Sequence, residues 1–225
     1  MIKRCALVIC LLCLLAISSV SAEVTSIGAE IITADFEDVS INLSIPRVNG
    51  LSDWLYEEYL NTSWRLEHLQ FAKYIKEMAV EGRAAWEESG RVFPFFPYQC
   101  ITEFEMKYNQ DQLLSLIWLF YQYTGGAHGG TVQKSINLDL NANKPLKLED
   151  VVLHENALEI ILAEINRQIA ENPEWYFQDQ LPVAFINEED FYITDAGLVI
   201  FYQQYDIAPY ATGICEFVIP WHLFD

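Results

Sequence analysis

Gly125-Gly126-Ala127-His128-Gly129-Gly130 is the stretch of this chain whose residue types could form a ligand cradle. Its glycines free the backbone around a histidine that can donate, accept or exchange a proton. It lacks the dinucleotide fingerprint and the Gly-Lys-Ser/Thr end of a phosphate loop, and it sits between strand patterns with no helix dipole to aim at an anion. Two readings stay open: a turn whose glycines permit positive φ and a close backbone approach, or a ligand contact through His128. Later, Tyr205-Asp206-Ile207-Ala208-Pro209-Tyr210-Ala211-Thr212-Gly213 also breaks a strand pattern with small and turn residues. The expectation is that the two segments meet, with Gly125, Gly126, His128, Tyr205 and Tyr210 forming a contact surface.

Other candidates carry less. His68, His128, His154 and His222 fit no metal-ligand spacing, and no His-Glu-x-x-His occurs. Asp139, Asn141 and Asn143 have some of the oxygens of a calcium loop but not its glycine or distal glutamate, so a turn is expected. No Gly-x-Ser-x-Gly elbow is present. Acidic runs such as Glu57-Glu58, Glu87-Glu88 and Glu188-Glu189-Asp190 could be read as a glycosidase acid and base, but with 32 acidic residues they are expected to be solvated faces. Phe93-Pro94-Phe95-Phe96-Pro97-Tyr98 is either an exposed aromatic ledge or core packing. No catalytic residue, metal or cofactor is assigned.

The start of the chain reads as a secretory signal over residues 1–22. Lys3 and Arg4 are its basic end, an uncharged apolar stretch follows, and Val20-Ser21-Ala22 is the cleavage site, with an uncleaved anchor as the alternative. Cys5, Cys10 and Cys13 fall inside it, which leaves Cys100 and Cys215. Export permits a disulfide between these two, and the alternative is a pair of buried thiols. No later stretch is long and apolar enough to span a membrane, so an exported protein without a span in its mature part is expected. A net charge of −19 disfavours nucleic acid and anionic membranes, and it favours either solubility or encounter with a basic protein.

Hydrophobic periodicity supplies the elements that must hold these residues. Val39, Ile41, Leu43 and Ile45 alternate with polar residues as a half-buried strand ending near Pro46. From a Ser52 N-cap, Trp54, Leu55, Leu60, Trp64, Leu69, Tyr74, Ile75 and Met78 predict a long helix. Phe104, Met106 and Tyr108 alternate, Asn109-Gln110-Asp111 turns, and the apolar run 113–123 reads as a buried strand. Ile136, Leu138 and Leu140 add another strand. Leu158, Ile161, Leu162, Ile165 and Ile169 make one helix face, and strands return over residues 191–193, 198–205 and 215–219. The fold class is α+β: a mostly antiparallel sheet with a long N-terminal helix and a second amphipathic helix packed on it.

The ordered series Ile41-Asn42-Leu43-Ser44-Ile45-Pro46, Asn49-Gly50-Leu51, Asn61, Tyr123 to His128, Leu138-Asp139-Leu140, Leu148-Glu149-Asp150, Phe191-Tyr192-Ile193-Thr194 and Phe217-Val218-Ile219-Pro220 resembles one family. This is the two-part extracytoplasmic module shared by the RsiV anti-sigma factor and the PdaC peptidoglycan deacetylase. The resemblance implies an N-terminal half over residues 23–145 and a C-terminal half over residues 146–225, packed as one unit. It also implies a cell-envelope binding module whose partner is lysozyme, another basic protein, or peptidoglycan fragments. The alternative is a small hydrolase acting on a cell-wall glycan; neither sigma-factor control nor deacetylation is carried over. N-terminal sequencing of the natively produced protein is expected to find Glu23, and a chain beginning at Met1 would refute export by cleavage.

Overall fold

The computed structural model describes residues 25–225, so the secretory-signal assignment lies outside the described residues. In chain order the elements are β1 (Ser26–Asp35), β2 (Val39–Asn49), α1 (Trp54–Glu88), β3 (Tyr98–Gln110), β4 (Leu113–Tyr123), β5 (Gly130–Asp139) and β6 (Lys144–Pro145). There follow α2 (Leu148–Val151), α3 (Ala157–Ile169), β7 (Phe191–Ile193), β8 (Gly197–Tyr202) and β9 (Cys215–Pro220). Strands β1 to β6 lie in that order in one sheet, and β7 to β9 form a second. Pairing is antiparallel throughout except between β2 and β3, which run parallel because α1 supplies the long crossover.

The α+β class holds, with two corrections. The long helix is not N-terminal: residues expected to form one strand make the antiparallel pair β1–β2, turned where the Phe36 N–H donates to the Val39 carbonyl, and α1 follows. Its N-cap is Asp53, not Ser52, and the Asp53 carboxylate accepts from the N–H groups of Leu55 and Tyr56 at 3.0 and 3.1 Å. The helices also cover two sheets, not one. The buried stripe of α1 runs through Leu60, Trp64, His68, Ala72, Ile75 and Ala79, so Trp54 and Tyr74 fall on its exposed side.

Alternation along β4 explains the layering. Leu114, Leu116, Trp118 and Phe120 point to one face and pack with Leu60 and Trp64 of α1. Ile117 points to the other face and packs with Tyr192, Val199 and Phe201 of the second sheet. The same alternation sends Leu198, Ile200 and Tyr202 away from the first sheet, onto Ile161, Ile165 and Ile169 of α3. The order of layers is therefore α1, large sheet, small sheet, α3. Burying each of those isoleucines contributes about 1.5–3 kcal/mol, and β8 is apolar throughout because both of its faces are covered.

Asn61 anchors α1 to the sheet. Buried on the helix, it accepts from the Val48 N–H and donates to the Val48 carbonyl, both at 2.9 Å, completing backbone pairing that no strand supplies.

Cys100 packs under α1 and Cys215 packs on the α3 side, in different cores, and both are free thiols. The disulfide expectation is thus corrected: the two sheets lie between the sulfurs. Burial pushes the Cys100 thiol from an ordinary 9.0 up to about 12 and Cys215 up to about 11, and it raises the Tyr192 and Tyr202 phenols as well. Below pH ~9 these groups are neutral in both folded and unfolded chains and stability is unaffected; between pH ~9 and ~12 only the unfolded chain ionises, so stability falls as pH rises. Urea midpoints measured across this range should fall, and the fall should be shallower in a Cys100→Ala, Cys215→Ala double variant. A midpoint independent of alkaline pH would contradict the burial of these groups.

Candidate functional site

The turn between β4 and β5 carries the glycine-rich segment. Gly125 and Gly126 adopt φ of 84° and 112°, and the Tyr123 hydroxyl donates to the Gly126 carbonyl at 3.1 Å. Gly129 serves the other glycine function: a Cβ there would stand 2.5 Å from both the Gln122 carbonyl oxygen and the Tyr121 ring. This packing turns His128 outward, with its Nδ1 donating to the Gly129 carbonyl at 2.8 Å, which leaves Nε2 as the accepting nitrogen.

The later segment meets this turn, and its approach depends on the edge of β5. Beyond β8, the Gln203 side chain accepts from the Gln133 N–H at 3.0 Å and donates to the Gln133 carbonyl at 2.8 Å. Gln204 accepts from the Thr131 N–H at 2.9 Å. Two amide side chains thus stand in for a strand along the open edge of β5. Tyr205 follows with φ of 72°, a left-handed conformation that is costly for a bulky residue. Its ring is thereby brought next to His128, with the hydroxyl 3.5 Å from Nε2, at the long limit of hydrogen bonding. Tyr210 stacks on the His128 ring with centroids 3.8 Å apart and planes at 20°, and lies 5.9 Å from Tyr205.

All five sequence-selected positions therefore lie on the two segments that meet here. His128, Tyr205 and Tyr210 border a cleft of about 500 Å³, while Gly125 and Gly126 shape its turn. Phe71 and Phe120 form the cleft's apolar wall, and the Glu67–Lys134 ion pair lies at its side. Sequence reasoning missed these four because Phe71 and Phe120 follow core patterns and the charges are far apart in the chain. Gln203 and Gln204 carried the available signal: two amides immediately after a fully apolar strand. The cleft lies at the end of the sheet where Gln99 pairs with Tyr123. Thr25, the first described residue, lies at the opposite end, where its carbonyl accepts from the Asn109 side chain at 2.8 Å.

The other candidates resolve into structure. His68 is fully buried between Trp118 and Phe120, its Nδ1 donates to the Trp64 carbonyl at 2.7 Å, and burial lowers its pKa. Asp139 accepts from the N–H groups of Asn141 and Ala142, both at 2.9 Å, and closes the turn into β6. Glu57 accepts from the Leu51 N–H, and Glu87 pairs with Arg83 and Arg91. Residues 91–97 form an exposed connection, with Phe93 and Phe96 in solvent. Among the described residues, no group of three His, Cys, Asp or Glu side chains is placed to hold a metal.

An α+β scaffold of two stacked sheets with an aromatic cleft between two segments distant in the chain defines a two-part module, and comparison with known proteins agrees. Residues 32–131 match the family model described as Deacetylase PdaC, and residues 149–222 match DUF3298, a protein family of unknown function. The chain carries both, in that order. It is 25% identical to the anti-sigma-V factor RsiV of Bacillus subtilis over 191 residues, covering 80% of this chain and 62% of the relative. It is 26% identical to the esterase Rv3036c of Mycobacterium tuberculosis over 110 residues, covering 47% of this chain and 48% of the relative. The chain thus spans less than two thirds of either relative's length. A crystal structure of a DUF3298 family member from Bacteroides fragilis shares the fold with a TM-score of 0.70 at 19% identity, covering 90% of this chain and 92% of that one. A DUF3298 protein from Pseudomonas aeruginosa does so at 0.56 and 19% identity, covering 89% and 92%.

The amide seal makes a local prediction. Gln203→Ala should cost about 1–3 kcal/mol by leaving the Gln133 backbone unpaired. Amide exchange at Gln133 should accelerate while exchange in the β3–β4 pairing does not. Unchanged protection at Gln133 would show that the glutamine does not close the edge.

Proposed function

We propose that this chain is an exported cell-envelope binding module whose His128 cleft docks a basic protein, with lysozyme the leading candidate and peptidoglycan fragments second. The observation that carries the reading is the Tyr210–His128 stack with Tyr205 beside it, an aromatic surface assembled from two distant segments at the end of the sheet away from Thr25. Histidine and tyrosine rings supply contact area at low entropic cost, as interface anchors do. A charge of −19 supports a basic partner, and the similarity to an anti-sigma factor supports a sensing role over turnover. The halves 23–145 and 146–225 act in this reading as one unit, because the cleft draws its residues from both. Among the described residues no helix is long and apolar enough to cross a membrane.

A second reading is hydrolysis of a cell-wall glycan or an ester, favoured by the similarity of part of the chain to an esterase. The hydrogen bonds of His128 run to Gly129 and Tyr205, and not to a serine or cysteine nucleophile, which places it second.

Titration with lysozyme and with an equally basic unrelated protein, at low and physiological salt, separates docking from charge attraction. Generic attraction fades as the screening length shrinks from ~10 Å at 0.1 M toward ~3 Å at 1 M. Saturable binding of lysozyme alone, persisting at physiological salt and weakened about tenfold or more by Tyr210→Ala, is the expected result. Equal responses to both basic proteins would overturn it, and glycan or ester cleavage in a parallel assay would favour the second reading.

A further inference from the structure

The connection from α1 to β3, residues 91–97, leaves Val92, Phe93 and Phe96 in solvent at 69%, 74% and 59% exposure. A cluster of large apolar side chains held out of the core marks a contact surface. It is also a braced one. The Trp86 indole donates to the Phe93 carbonyl, the Trp86 and Phe95 rings lie 5.5 Å apart, and Phe95 stacks on Tyr98 at 6.3 Å. The Arg83 guanidinium covers both Trp86 and Phe95, at 5.0 and 5.1 Å. Tyr98 in turn fits against α1 because residue 82 is a glycine, where a Cβ would collide with the Tyr98 hydroxyl; glycine is otherwise a poor residue for a helix interior. Pro94 and Pro97 fix φ as well. The loop is thus held from beneath in the shape that presents Phe93 and Phe96, and docking on it orders little more.

This loop and the His128 cleft share one end of the fold and one side of the large sheet. Tyr98, where the loop ends, precedes Gln99, which pairs with the Tyr123 that begins the glycine turn, and both loop and cleft rest on α1. Phe71 walls the cleft, and Phe71, Tyr74, Met78 and Gly82 follow at three- and four-residue steps, so one face of α1 leads from cleft to loop. Tyr74 stands between them, 55% exposed. The path from Phe71 to Trp86 is about 22 Å at ~1.5 Å per residue. A protein interface of ~800 Å² per partner is about 30 Å across, so a single protein reaches both.

Charge decides between occupants. Residues 35–38 and 76–98, which surround the loop, hold seven acidic and three basic side chains. Lys76 lies over the Phe36 ring at 3.6 Å. Arg83 and Arg91 are paired with Glu37 and Glu87, whereas Asp38 and Glu88 make no ion pair among the described residues. That acidic excess repels an anionic bilayer and a second copy of this chain, itself at −19, and a neutral bilayer offers it no counter-charge. A basic protein is attracted. We propose that Phe93 and Phe96, with Tyr74 between, extend the His128 cleft into one docking face for a basic protein, the two phenylalanines being the apolar anchors of its far end. This rests on the reading above that the cleft binds such a partner.

The test measures lysozyme binding at physiological salt by calorimetry, in the unaltered protein, in Tyr210→Ala, in Tyr74→Ala and in a Phe93→Ser, Phe96→Ser double variant. The serines replace exposed rings, so the thermal midpoint should stay unchanged and a lost site is not mistaken for unfolding. The double variant should bind about tenfold or more weakly, with Tyr74→Ala between it and the unaltered protein. Amide exchange at Val92, Phe93, Phe95 and Phe96 should slow in the complex of the unaltered protein, a readout that needs no variant. Binding that Tyr210→Ala weakens but the double variant does not, with exchange in the loop unchanged, overturns the extended face and leaves the cleft reading standing. Absence of lysozyme binding by the unaltered protein removes both. Attachment to phosphatidylcholine or phosphatidylglycerol vesicles, or self-association, that the double variant abolishes would overturn the proposal in favour of a membrane or a second copy.

Discussion

The two sheets are held in register by a small buried polar network, and the position of everything on the second sheet depends on it. The Ser115 hydroxyl on β4 donates to the Asn137 side-chain oxygen at 2.6 Å and accepts from the Ile193 N–H at 3.0 Å, while the Asn137 amide donates to the Phe191 carbonyl at 2.8 Å. Apolar faces packed on each other tolerate sliding, because dispersion and hydrophobic burial are non-directional. Hydrogen bonds are directional, and breaking them in a dry interface leaves donors and acceptors unpaired. This network therefore fixes where β7 crosses β4 and β5, and with it the direction in which β8 delivers residues 203–213.

The same device recurs wherever a strand or loop would otherwise expose its backbone inside the fold. Asn61 completes Val48, Gln203 completes Gln133, and Asn166 of α3 completes Val183 with bonds of 2.8 Å in each direction. An amide side chain presents an N–H donor beside a C=O acceptor, as a peptide group does, so it closes a backbone pair without another strand. Each case joins one element to another: helix to the preceding strand, second sheet to first, helix to the loop that follows it. At β5 the substitution also leaves the edge free to receive Tyr205 and Tyr210, which a full strand would have displaced.

Placement of the cleft follows from these constraints. The His128 cleft sits at the end of β5 that Gln203 and Gln204 seal. Glu67 borders it from the middle of one helix face, tied to Lys134. The left-handed Tyr205 is the conformational cost of the arrangement, carried by a residue whose ring is used at the cleft.

Local patterning by itself determined most of the elements: the apolar run of β4, the stripe of α3, the turn at residues 141–143 and the glycine turn before β5, while the turn expected at Asn109-Gln110-Asp111 falls later, at 111–112, because β3 continues through Gln110. It also marked His128 and Tyr210 as residues outside any core pattern, whereas the strand expected over residues 198–205 stops at Tyr202 and releases Tyr205 into the turn. It did not separate β1 from β2, because their half-buried alternation runs almost continuously through Phe36, Glu37 and Asp38. Nor did it divide the nine strands of the described residues between two sheets, since a strand covered on both faces reads alike in either one. Only the tertiary structure placed Cys100 and Cys215 in separate cores, paired Gln203 with Gln133, and buried the Trp118 indole N–H without a partner. Those outcomes depend on contacts between residues tens of positions apart, where the directional hydrogen bonds of a few amides, and not local propensity, decide which edges and faces meet.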